Sequence, residues 1–71
     1  MANKFQYTGN VCHTIVSIIG YNFNLHIEAL NDGKFEAYTE GGSYGIFKTY
    51  AKALTFAEKS LVSTKKNNPD R

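Results

Sequence analysis

The chain lacks most of the features that assign a function quickly. It holds one cysteine, Cys12, so no internal disulfide can form. That excludes a disulfide-stapled secreted domain and sets the expectation of a cytoplasmic protein. The single proline, Pro69, sits in the polar stretch "KKNNPDR". No apolar run approaches the length of a membrane span, and "MANKFQYTGN" lacks the basic-then-apolar pattern of a leader. A net charge of +2 is too small to argue for nucleic acid by itself. "GGSYG" is glycine-rich, but no Gly-Lys-Ser/Thr follows it, so it reads as a turn rather than a phosphate loop. No motif names a reaction, a metal or a cofactor, and none is expected.

What is present describes a small folded domain. Seventy-one residues lie near the lower limit for one hydrophobic core. Five Tyr and five Phe supply large apolar areas that offset the small size. The charge is unevenly spread. From His26 to Glu40 the charged residues are Glu28, Asp32, Lys34, Glu36 and Glu40, a net of −3. From Lys48 to Arg71 the net is +4.

The strongest local signal is the strict apolar–polar alternation from Tyr21 to Ala29, a strand with one buried face. Asn31-Asp32-Gly33 then fits a three-residue hairpin turn with Gly33 in the left-handed position. This turn pairs Leu30 with Lys34, and hence Ala29 with Phe35, Ile27 with Ala37 and Leu25 with Thr39. A two-residue Asp-Gly turn would scramble the two faces. Gly41-Gly42 predicts a second hairpin returning Ser43–Phe47, with Tyr44 and Ile46 inward. Upstream, Val11–Ile19 is β-branched and apolar, with Cys12, Thr14, Val16 and Ile18 inward. Gly9-Asn10 predicts a turn from a first strand, Lys4–Thr8, with Phe5 and Tyr7 inward. Thr49 is a fair N-cap for a helix whose stripe of Tyr50, Ala53, Leu54, Ala57 and Leu61 can cover the inner face. The expectation is a single α+β domain over residues 1–65, an antiparallel meander of four or five strands with one C-terminal helix on one face. Residues 66–71 are expected to form a polar tail.

Under this register the other face holds His13, Ser17, Asn24, His26, Glu28, Glu36, Tyr38 and Glu40, with Val11, Ile15 and Ile19. His13 stands opposite Glu28, His26 opposite Tyr38, and Glu28 opposite Glu36. A Glu28–Glu36 acid/base couple needs a concave, water-shedding pocket, and an open sheet face offers none. His13, His26 and Glu28 are acceptable zinc ligands, but no dense ligand spacing supports a site. Binding asks least: clustered carboxylates and exposed β-branched residues suit a basic partner protein. Two copies stacking the aliphatic end of this face as a homodimer is the plainer alternative. The rival surface is the helix, where Lys48, Lys52, Lys59 and Lys66 share one face with Phe56 at its edge. Such a row can follow a phosphate backbone and stack a base, while lysines at this spacing most often form a solvated face.

From Leu25 to Leu61 the chain runs strand, "NDGK", strand, glycine-rich turn and "FKTYAKALTFAEK". This order loosely resembles HicB-type antitoxin domains. A meander followed by one helix, with "YGIFKT" at the junction, also looks like the transcriptional coactivators that bind single-stranded DNA. Both likenesses imply fold-level analogy. A small domain of this kind also resembles phage or mobile-element accessory proteins. That resemblance implies an inhibitor of the anti-CRISPR or antitoxin type, whose acidic surface blocks a partner's nucleic-acid-binding site.

Overall fold

The computed structural model describes residues 4–67. Five strands follow one another as β1 (Phe5–Asn10), β2 (His13–Ile18), β3 (Asn24–Ala29), β4 (Phe35–Thr39) and β5 (Gly42–Phe47), and α1 (Tyr50–Asn67) is the last described element. The sheet order is β1-β2-β3-β4-β5, every pair antiparallel. The fold is therefore the expected α+β meander with one helix on one face.

Local chemistry explains the central hairpin. Gly33 has φ +84°, the left-handed conformation that glycine adopts without penalty. Its N–H donates to Leu30 O at 3.1 Å, and Leu30 N–H donates to Lys34 O at 2.8 Å. Asp32 Oδ1 accepts from Lys34 N–H at 3.1 Å, a side-chain turn contact typical of aspartate. The resulting register pairs Ala29 with Phe35, Ile27 with Ala37, Glu28 with Glu36 and His26 with Tyr38, as the turn chemistry requires.

Alternation then separates two faces. Thr14, Val16 and Ile18 of β2, Leu25 and Ile27 of β3 and Ala37 of β4 are buried on the inner face. Against them lie Ala53, Ala57 and Leu61 of α1, with Tyr50 and Leu54 half-buried at the margin. Alanine at 53 and 57 removes side-chain bulk where the helix crosses the sheet, so the backbones approach closely. Complete burial of Val16, Leu25, Ile27 and Leu61 contributes about 1.5–3 kcal/mol each before entropy is charged. Thr49 caps the helix: its Oγ1 accepts from Lys52 N–H at 3.1 Å and its carbonyl from Ala53 N–H at 3.2 Å. Buried Thr14 is also satisfied. It donates to Asn10 O at 2.5 Å, which leaves Tyr50 as the donor to its oxygen at 2.7 Å.

The structure corrects several expectations. The first hairpin turns at Val11-Cys12 rather than Gly9-Asn10, because the Asn10 side chain accepts from Cys12 N–H at 2.9 Å and His13 N–H at 3.2 Å. Cys12 is accordingly exposed, not inward. β3 begins at Asn24, while Tyr21 is buried in the preceding loop. In the last hairpin, Ala37 pairs with Gly45 but Tyr38 with Ser43, so Tyr44 is an extra, bulged residue. The bulge turns Ile46 outward, opposite Glu36, where 58% of its surface is exposed. Phe47 takes the inward place instead, packed at the core's margin. The helix continues through Lys66 and Asn67, so the polar tail expected from residue 66 does not begin there. Residues 68–71, the rest of that tail, lie outside the described residues.

Candidate functional site

No element among the described residues covers the outer face of the sheet. Register lines its side chains into rows: Asn10, His13, Glu28, Glu36 and Ile46 form one, and Thr8, Ile15, His26, Tyr38 and Ser43 the next. The question of how Glu28 and Glu36 tolerate each other has a geometric answer. Leu30 bonds Lys34 across β3–β4, and hydrogen-bonded pairs alternate along an antiparallel ladder, so Glu28–Glu36 is a hydrogen-bonded pair. Such pairs hold their Cα atoms about 5.5 Å apart, against about 4.5 Å in the other class. Like charges opposite each other are thereby eased but not removed.

Glu28 is also drawn away from its neighbour. Tyr38, the diagonal residue on β4, donates its hydroxyl proton to Glu28 Oε1 at 3.0 Å. Burial raises the Tyr38 phenol above its ordinary value. The bond to Glu28 and the charges of Glu28 and Glu36 push the same way. The His26 ring stacks on Tyr38 with centroids 5.1 Å apart and planes 15° from parallel. His13 Nε2 meets His26 Nδ1 at 3.1 Å and the Tyr38 oxygen at 3.4 Å. Tyr38 gives its only proton to Glu28, so the network is satisfied when His13 Nε2–H donates and His26 Nδ1 accepts. A chain of side chains thus runs from β2 through β3 and β4 to one carboxylate.

Glu28, Glu36, Glu40 and Tyr38 border one shallow depression of ≈ 410 Å³. Beside it a deeper hollow of ≈ 480 Å³ is lined by Phe23, His26, Glu40 and Tyr44. Among the described residues no three His, Cys, Asp or Glu side chains group as a metal site. The arrangement is suited to receiving positive charge, with aromatic and hydroxyl surface beside it.

The other expected residues are scattered more widely. Only Ile15 of the aliphatic trio lies within a strand, half-buried between Thr8 and His26. Val11 lies in the β1–β2 turn and Ile19 in the β2–β3 turn, 56% and 58% exposed, at opposite ends of the strand that holds Ile15. Ile46 is the apolar neighbour of the carboxylates, and only the unforeseen bulge places it there. Glu40 is exposed in the β4–β5 turn.

On the helix, Lys52, Lys59 and Lys66 are exposed, whereas Lys48 precedes the cap and is not helical. Phe56 is packed on Phe47 at 4.9 Å and Tyr44 at 6.1 Å between centroids, which engages the ring that would have stacked a base. No helix among the described residues is long and apolar enough to cross a membrane. No known protein family, curated protein or solved structure matches this chain.

Proposed function

We propose that the protein is a non-catalytic binding protein whose outer sheet face engages a basic macromolecular partner. The observation that supports it best is the gathering of Glu28, Glu36 and Glu40 with Tyr38 around one depression on an uncovered face. Carboxylates held side by side cost stability in the free protein, and a cationic partner would relieve that cost. His26 and Tyr38 present a flat stacked surface for apolar and guanidinium contacts, and Ile15 and Ile46 add apolar area at either side. The hollow beside Glu40 suits a long cationic side chain. A partner of this chemistry is a nucleic-acid-binding protein, blocked at its basic surface by an inhibitor of the phage or mobile-element type.

The alternative, nucleic acid bound along Lys52, Lys59 and Lys66, is supported by their common exposure and weakened by the engagement of Phe56. A pull-down with tagged protein, with and without nuclease, separates the two. A protein partner that survives nuclease supports the acidic face. Nucleic acid recovered alone, and lost on digestion, moves the function to the helix.

A further inference from the structure

The first strand has a property the outer face does not explain. Ile19 N–H donates to Lys4 O at 2.9 Å, so Lys4 directs its backbone groups into the sheet. By alternation Gln6 and Thr8 do the same toward β2, and Phe5 and Tyr7 direct their N–H and C=O groups outward. No described element lies beyond β1. Edge strands are ordinarily blunted by charge, proline, a bulge or a covering segment. Phe5–Asn10 has no charged residue and no proline, and its pairing with β2 runs without a shift. The opposite edge differs in carrying the Tyr44 bulge on β5.

We propose that β1 is a self-association edge, on which a second copy of the chain pairs antiparallel across a two-fold axis at Gln6. The two-fold operation lays the outward donors and acceptors of Phe5 and Tyr7 on those of the other copy, exchanging about four backbone hydrogen bonds. No charge opposes charge along the strand. On the helix side, Phe5, Glu58, Lys59, Val62 and Lys66 line the adjoining groove. That groove holds one acid and two bases around exposed Val62, so the axis brings Glu58 of each copy toward the lysines of the other. The outer faces become one surface, and the carboxylates on β3 and β4 stay clear of the axis. The proposal is therefore independent of the acidic-face reading.

Sedimentation equilibrium of the full chain, from roughly 10 μM to 1 mM, tests it. A reversible monomer–dimer equilibrium is expected. Tyr7→Pro removes an outward N–H and no β1–β2 bond, together with the Tyr7–Glu58 bond to the helix, and Gln6→Lys sets two lysines near the axis. Each variant should weaken the dimer about tenfold or more. Circular dichroism checks the fold, and Gln6→Lys, a surface change, keeps the test valid if Tyr7→Pro does not fold. A monomer throughout, or a dimer indifferent to Gln6→Lys, overturns the proposal.

Discussion

Glu28 and Glu36 face each other across β3 and β4 as a hydrogen-bonded pair, and the Tyr38 hydroxyl binds the first carboxylate at 3.0 Å. The two acids are therefore not equivalent. Glu28 has a donor that holds it, while Glu36 contributes charge to the same neighbourhood.

Glu36→Gln should accordingly stabilise the free protein, by about 0.2–1 kcal/mol, with the gain shrinking at high salt. Glu28→Gln should gain less, because it weakens the Tyr38 bond. Urea unfolding of both variants at low and high ionic strength measures the difference.

The bulge at Tyr44 predicts which isoleucines and leucines matter. Leu25→Ala removes a fully buried side chain and should cost about 2–5 kcal/mol. Ile46→Thr should change stability by no more than about 0.5 kcal/mol, since Ile46 is exposed. A large loss at Ile46 in denaturant unfolding would return that residue to the core and remove the bulge.

Two glycines are required for different reasons. At Gly33, Ala would be forced into the left-handed region with open space around it, a cost of about 1–2 kcal/mol. At Gly9, φ is +90° and a Cβ would lie 2.2 Å from His13 O, so Ala must also displace backbone. Gly9→Ala should therefore lower the melting temperature more than Gly33→Ala.

Tyr7 donates to Glu58 of the helix, and that bond, with burial and the Glu58 charge adding to it, pushes its phenol up to about 12. A folded-state value above the unfolded one means the neutral phenol is favoured by folding. The associated stability is fully present below about pH 10 and is lost as pH rises through about 12. In an absorbance titration of tyrosinate, the component ionising near pH 12 should be lost in Tyr7→Phe, while the raised Tyr38 phenol still ionises late.

The sequence was most legible where turn chemistry and alternation agreed. Asn31-Asp32-Gly33 sets the register of β3 and β4, and that register alone places Glu28 beside Glu36 and His26 beside Tyr38. Thr49 and the alanine-rich stripe located the helix in the same way. Legibility failed where one side chain or one extra residue decided the geometry. Asn10 moves the first turn by capping Val11-Cys12, which takes Val11 out of the strand and exposes Cys12. The Tyr44 bulge reversed Ile46, because a single inserted residue exchanges the two faces of everything after it. The His13–His26 contact is diagonal between strands, so no spacing within the sequence announces it.

The most direct measurement is the affinity for the captured partner of two charge-reversed variants, each confirmed as folded. Glu28→Lys with Glu36→Lys should abolish binding, while Lys52→Glu with Lys59→Glu should leave it intact. Binding retained by the first pair and lost by the second would contradict the acidic-face reading and assign the function to the helix.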